Sequence, residues 1–251
     1  MRDGSLIPRF GRARRDSELA VLEGLHAVKH ALRFGAEIHE LVTRSLPQLS
    51  GLLERLAPDV AEPVLAAARE VDEELFAKLV PLPPSTGVVA IASRPGVDLA
   101  ALLSDVRPAP LLLLEDPRDL GNIGACVRVA AAADMAGVLS TGSHDPWHPD
   151  ALRGGAGLQF ALPVTRLAGF GQLTVSDRPV LALDPDGEPL RPRELDPRAI
   201  LAFGTERDGI SEELGALADA RISIPMRPGV SSLNLATSVA AVLFAWRLNS
   251  G

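Results

Sequence analysis

The stretch Ile224–Trp246 reads I-P-M-R-P-G-V-S-S-L-N-L-A-T-S-V-A-A-V-L-F-A-W. It opens as a short strand-like run, passes through a loop rich in Pro, Gly and Ser, and continues as an apolar helix. Pro225, Pro228 and Gly229, then Ser231, Ser232 and Asn234, stand before that helix. A helix N-terminus has unsatisfied N–H groups, so such a loop suits a polar ligand. Taken alone, Ser232 and Asn234 read as helix caps.

Working outward, the chain from Leu111 alternates strands and helices. Leu111–Leu114 is a continuous apolar run, as in a strand buried on both faces. An Ala-rich helix over Asn122–Met135 ends before Gly137, and Val138–Ser140 is a strand. Ala151 starts a short helix, and Gly169–Val175 reads as another. Val180–Leu183 and Ile200–Phe203 are strands, and Ser211 caps a helix reaching Ala218. Arg221–Pro225 is the last strand and Leu235–Leu248 the last helix. This rhythm predicts a mostly parallel sheet covered by helices, with ligands beyond the carboxyl ends of its strands. Three such ends carry polar, Gly-containing loops: Glu115–Arg128, Phe203–Ser211 and Ile224–Asn234.

The preceding part of the chain is a smaller α/β pattern. Residues 1–15 hold Arg2, Arg9, Arg12, Arg14 and Arg15 against Asp3 alone and read as a flexible basic arm. From Asp16, Leu19, Val21, Leu22, Leu25, Val28 and Leu32 recur mostly at three- and four-residue steps, as in a helix, up to Gly35. Ile38–Val42 and Gly87–Ala92 read as strands, and Ser50–Leu56 and Asp72–Leu79 as helices. Pro95, Pro108 and Pro110 mark residues 94–109 as a linker. The expected domains are therefore 16–93 and 110–251.

Composition narrows the class. Of 251 residues, 47% are hydrophobic, enough for a core, but only 4% are aromatic and none is Tyr. The single Cys126 excludes an intrachain disulfide and argues against a thiolate zinc site. No secretory signal and no apolar run of about 20 residues is present, so a soluble cytoplasmic protein with no membrane and no metal is expected. A net charge of −7 argues against a simple nucleic-acid coat. His144 and His148 are four apart, but flanking prolines and the lack of a third ligand argue against a metal.

The three loops contain no G-x-G-x-x-G, no P-loop and no G-x-S-x-G. That removes the main fingerprint of a dinucleotide-dependent oxidoreductase. Together they resemble the SpoU-type (TrmH-like) RNA ribose 2′-O-methyltransferases of the SPOUT superfamily. The first loop carries the family's N-x-G-x-x-x-R as Asn122, Gly124 and Arg128. The second carries G-x-E-x-x-G as Gly204, Glu206 and Gly209. The third carries I-P-M and S-L-N as Ile224-Pro225-Met226 and Ser232-Leu233-Asn234. A softer match runs from Ala151 (A-L-R-G-G-A-G-L-Q-F-A-L-P-V), with Gly155 in place of a serine. The family usually has I-P-M-x-G; here Arg227-Pro228-Gly229 moves the glycine by one position.

The resemblance implies an α/β fold with a SPOUT trefoil-knotted, mostly parallel sheet, helices on both faces and a preceding L30e-like RNA-binding domain. That last match rests on V-L-E-G-L-H-A-V from Val21. It implies a homodimer through the methyltransferase domain, with S-adenosylmethionine held at Gly204, Ile224, Met226 and Leu233. It implies catalytic roles for Asn122, Arg128, Glu206, Ser232 and Asn234. Arg128 would accept the 2′-hydroxyl proton. A guanidinium stays protonated in proteins, so its alternative role is to bind a neighbouring phosphate and lower the hydroxyl's pKa. The implied substrate is RNA, 23S rRNA ahead of tRNA. A non-catalytic RNA-binding module on the same fold is the rival reading.

Overall fold

The computed structural model describes residues 5–205 and 207–249. Arg2, Asp3 and Glu206, on which expectations rest, lie outside the described residues. The chain divides into two compact units. One holds the chain up to Gly96 together with Trp147–Ala161; the other holds Val97–Pro146 and the chain from Leu162 on.

In the first unit the elements run α1 (Leu6–Ala13), β1 (Leu19–Glu23), α2 (Leu25–Arg33), β2 (Ile38–Thr43) and α3 (Leu46–Leu56). They continue with α4 (Ala61–Ala67), β3 (Ala68–Glu70), α5 (Glu73–Leu79) and β4 (Val88–Ser93). The sheet order is β1-β4-β2-β3, antiparallel except for β2 with β3. Two expectations are corrected. From Leu6 the supposed flexible arm is a helix, because Leu6, Phe10 and Ala13 form one apolar face and join the core with Phe76 and Ile91. The single helix expected from Asp16 is a strand followed by a helix. Gly24, at φ +98°, makes the break, and Val21 pairs with Ile91 in β4.

The segment Trp147–Ala161, expected within the methyltransferase domain, belongs to this first unit. Its helix Pro149–Gly154 brings Arg153 to Glu23, whose carboxylate is also bound by Arg14. The Glu23 side chain is 1% exposed, so burial there requires such partners. The Nδ1 of His30 lies 2.7 Å from the carbonyl oxygen of Ala156.

In the second unit α6 (Leu99–Ser104) falls inside the expected linker 94–109. Asp98 caps it by accepting from the Ala101 N–H, and Leu102 and Leu103 enter the core. Then come β5 (Leu111–Leu114), α7 (Leu120–Ala132) and β6 (Gly137–Ser140). After the helix already placed in the first unit, α8 in chain order, follow β7 (Val164–Arg166) and β8 (Val180–Pro189). The chain continues with β9 (Ile200–Phe203), α9 (Glu212–Leu217), β10 (Ala220–Ser223) and α10 (Leu235–Asn249). The six strands are ordered β10-β8-β9-β5-β6-β7 and are all parallel. The helix expected at Gly169–Val175 is one 3-10 turn, Phe170–Leu173.

Four-residue runs such as Leu111–Leu114 and Ile200–Phe203 are buried throughout, as a sheet covered on both sides requires. Arg178 is a charged residue inside this core. Only 3% exposed, it donates to the carbonyls of Leu103, Asp105, Ala109 and Arg198 at 2.8–3.1 Å. α10 buries Leu235, Val239, Val242, Leu243 and Trp246 and packs against α7. The β10–β8 pairing skips: Arg221 faces Ala182, but Ile222 faces Glu188. Residues 183–187 are left out of that ladder and bow out between its second and third pairs.

Candidate active site

The three loops converge in the second unit. α7 is capped by Asp119, whose side chain accepts from the Asn122 N–H at 2.7 Å. Asn122 therefore sits in the first turn of α7 and is not its cap. Its side chain is tied to the third loop: the Nδ2 of Asn234 donates to the Oδ1 of Asn122 at 3.1 Å. The Oδ1 of Asn234 meanwhile accepts from the N–H groups of Ala236 and Thr237, capping α10. The first and second loops are also tied: the buried Glu115 carboxylate accepts from the Ser211 N–H at 3.0 Å.

The second loop is a tight turn in which the Thr205 N–H donates to the Gly209 carbonyl at 2.8 Å, with Gly209 at φ +71°. Gly204 is fixed by this turn. A β-carbon there would lie 2.3 Å from the Gly209 backbone. The closure of the loop on itself therefore demands this glycine, before any ligand approaches it.

Between these loops lies a cavity of 1060 Å³. Asn122, Gly204, Ile224, Met226, Ser232, Leu233 and Asn234, seven of the expected residues, line it. Arg128 does not. It lies six residues after Asn122, about 9 Å further along the helix, and its side chain is exposed. Ile224 and Met226 are half-buried and Leu233 is 40% exposed, giving the cavity apolar wall. Among the described residues, the backbone N–H groups of Met226 and Leu233 take no hydrogen-bond partner.

Several wall residues belong to none of the motifs. Arg118, Arg207 and Arg221 bring positive charge, and Asp119, Asp184 and Asp208 bring negative charge. Arg221 and Asp184 pair at 3.2 Å, and the Asp184 side chain is 12% exposed. Leu183, Asp184 and Pro185 reach the cavity because β8 bows out of its pairing there. No motif marks that bow; only the D-P-D-G composition of residues 184–187 hints at a turn. A cavity with apolar walls, free amides and both charge signs can hold a zwitterionic ligand with an aromatic part.

Among the described residues, no group of three or more His, Cys, Asp or Glu gathers as a metal site, and no helix is long and apolar enough to cross a membrane.

Residues 109–244 match the family model described as the SpoU rRNA Methylase family. The 23S rRNA (uridine(2479)-2′-O)-methyltransferase of Streptomyces viridochromogenes is 27% identical over 252 residues, 96% of this chain and 86% of that protein. The 23S rRNA (adenosine(1067)-2′-O)-methyltransferase of Streptomyces laurentii is 34% identical over 155 residues, 58% of this chain and 55% of that protein. Among solved structures, the SpoU methyltransferase AviRb from S. viridochromogenes, in complex with AdoMet, superposes with a TM-score of 0.80. It is 23% identical and covers 99% of this chain and 98% of that one, a likeness of fold. The AdoMet-bound rRNA methyltransferase from Sinorhizobium meliloti gives 0.75 at 27% identity, over 97% and 93% of the two chains. The family match takes in more than half of the chain, including β5, β9, β10 and all three loops around the cavity. On that ground the chain belongs to the SpoU rRNA methylase family.

Proposed function

We propose that this protein is an S-adenosylmethionine-dependent RNA methyltransferase acting on a ribose 2′-hydroxyl, in 23S rRNA. The observation that carries the reading is the joining of Asn122 to Asn234 at the rim of a cavity that Gly204, Ile224, Met226 and Leu233 also line. The residues present fit the cofactor. Ile224, Met226 and Leu233 offer apolar surface to an adenine, and unpaired amides can read its edge. Asp184 and the arginines match the cationic and anionic ends of a methionine moiety. When bound, S-adenosylmethionine supplies a methyl group activated by its sulfonium.

The chain's own work is then orientation and proton removal. Asn122 and Asn234 hold each other and leave Ser232 beside them at the rim. Ser232, Asn122 and Asn234 orient the ribose, and Glu206 orients the loop and the arginine. Arg128 binds the phosphate next to the target ribose and lowers the hydroxyl's pKa, or accepts its proton. Because Arg128 stands outside the cavity of its own chain, a homodimer through the second unit fits this reading: one copy's Arg128 serves the other's cavity. The first unit is then an L30e-like RNA binder, and the chain about α10 threads a trefoil knot. A cytoplasmic location goes with such a substrate.

The test is transfer of labelled methyl from S-adenosylmethionine onto separated rRNA and tRNA, followed by mapping of the modified nucleotide. Label in 23S rRNA as a 2′-O-methyl is expected. Label only in tRNA would replace the substrate assignment, and cofactor binding with no label in any RNA would leave a binding module. Arg128→Ala is expected to bind cofactor normally and lose methyl transfer; transfer at the wild-type rate would remove Arg128 from the mechanism.

A further inference from the structure

The second unit has another hollow, of 560 Å³, at the end of the sheet where β5 and β9 begin. All six strands are parallel, so this end is opposite the carboxyl ends that carry the cavity described above. Ala109 precedes β5, Pro197 precedes β9, and the C-terminal ends of α7 and α10 close the remaining sides. Arg107, Arg193 and Arg247 line it, from three distant parts of the chain, against one carboxylate, Asp134. That is an excess of two positive charges on a chain of net charge −7.

Local structure accounts for part of this charge. Arg107 lies 3.4 Å and Arg247 3.8 Å from Asp134, and Arg107 also lies 3.7 Å from Asp105, outside the hollow. Arg107 also donates to the Met135 carbonyl at 3.4 Å, and cations are favoured beside helix C-termini. Arg193 is not accounted for. It has no carboxylate within ion-pair distance among the described residues, and its hydrogen bond is a long one, 3.5 Å, to the Asn249 side chain. Arg107 and Arg247 are half exposed, so each can turn donors toward a ligand. The floor is Trp246, 2% exposed, and prolines form the rim. A partly apolar hollow of this size takes one nucleotide, and guanidinium groups match phosphate oxygens.

We propose that this hollow is a second RNA site, which seats a phosphodiester of the substrate's backbone at the end of the sheet away from methyl transfer. The proposal rests on the RNA methyltransferase reading. Its half-exposed arginines suit a strand passing over the surface rather than an enclosed small molecule. Such a site binds any sequence and adds to affinity and orientation, while base choice is made elsewhere.

The test uses the full chain and a 23S rRNA fragment titrated over a salt series, with Arg193→Ala, Arg193→Glu and Arg107→Ala beside the wild type. S-adenosylmethionine affinity is measured by calorimetry on the same preparations. RNA affinity is expected to fall for each variant, most for Arg193→Glu, with cofactor affinity unchanged. The slope of log K against log salt should lessen by about one for each phosphate that a variant no longer neutralises. Wild-type affinity and slope in Arg193→Glu would overturn the site. So would an equal fall in Arg191→Ala, whose exposed arginine stands two residues away and outside the hollow, since that would mark a diffuse field. Binding of adenosine monophosphate that disappears in Arg193→Ala, with RNA affinity unchanged, would assign the hollow to a free nucleotide and overturn it for RNA. A wild type that methylates RNA while the variants match it refutes this inference alone; a wild type with no RNA binding refutes the enzyme reading as well.

Discussion

The Nδ2 of Asn234 donates to the Oδ1 of Asn122 across 112 residues of chain, at 3.1 Å. One side chain therefore does two jobs. Its oxygen caps α10 and its nitrogen fixes a residue in the first turn of α7. Replacing Asn234 by Ala should cost about 1 kcal/mol through removal of the cap and also lower methyl transfer. Asn122→Ala should lower transfer at a smaller cost in stability, because Asp119, not Asn122, caps α7. Denaturant unfolding and single-turnover rates on both variants and the double variant give the coupling. Strictly additive effects on the rate would show that the hydrogen bond does not matter to the reaction.

Gly204→Ala should abolish cofactor binding in a chain that still folds. The new β-carbon would meet the Gly209 backbone at 2.3 Å and the Ile210 nitrogen at 2.5 Å, and backbone cannot yield as a flexible side chain does. The turn must open, and Thr205 and Gly209 at the cavity wall move with it. Calorimetry with S-adenosylmethionine and circular dichroism check the two halves of the prediction. Unaltered affinity would mean that the turn is not part of the site.

Arg178→Met should destabilise the second unit by roughly 3 kcal/mol or more, because four carbonyls are deprived of a buried donor at once. Burial lowers the pKa of this arginine, and the nearby charge of Arg198 adds to the effect. Those carbonyls belong to the chain around α6 and to the approaches to β5 and β9. Thermal unfolding is the measurement. A change under about 1 kcal/mol would show that water replaces the guanidinium.

Acid should weaken the first unit through His30. Burial holds its pKa below the ordinary value; the Ala156 carbonyl opposes this, and Lys29, Arg33 and His26 add to the depression. The unfolded chain therefore takes up the proton more readily. The stability contributed by neutral His30 is complete above about pH 6.5 and is lost as pH falls through the lower, folded-state pKa. Unfolding midpoints of the wild type should drop over this window, and those of His30→Gln should drop less. Identical pH profiles for the two would contradict the assignment.

Much of the second unit is legible in the sequence because its strands are short and fully apolar. Leu111–Leu114 and Ile200–Phe203 need no context to be recognised, and Ser211 announces α9 by accepting from the Leu214 N–H. The first unit is harder. Leu19, Leu22 and Leu25 fit a helical spacing while Leu19 and Val21 fit a strand, and only the pairing of Val21 with Ile91 decides between them. In α1, Leu6, Phe10 and Ala13 do carry a helical period, but the arginines between them draw the reading toward a solvated arm. At the site, the motif residues are visible as a pattern. Arg118, Arg207 and Arg221 are not, since arginines in loops take their meaning from what they face.

The placement of Trp147–Ala161 with the first unit has a consequence for how the chain is made. A polypeptide leaves the ribosome from its N-terminus, and domains generally fold as units as they emerge. Here the first unit is incomplete when Gly96 appears, because Arg153 and Ala156 have yet to be synthesised. Until then the Glu23 carboxylate has Arg14 but lacks its second guanidinium. The nascent first unit must wait for residue 161, by which time β5, α7 and β6 of the second unit are already out. Birth order and unit boundaries do not coincide in this protein, so the residues before Gly96 cannot complete the first unit by themselves.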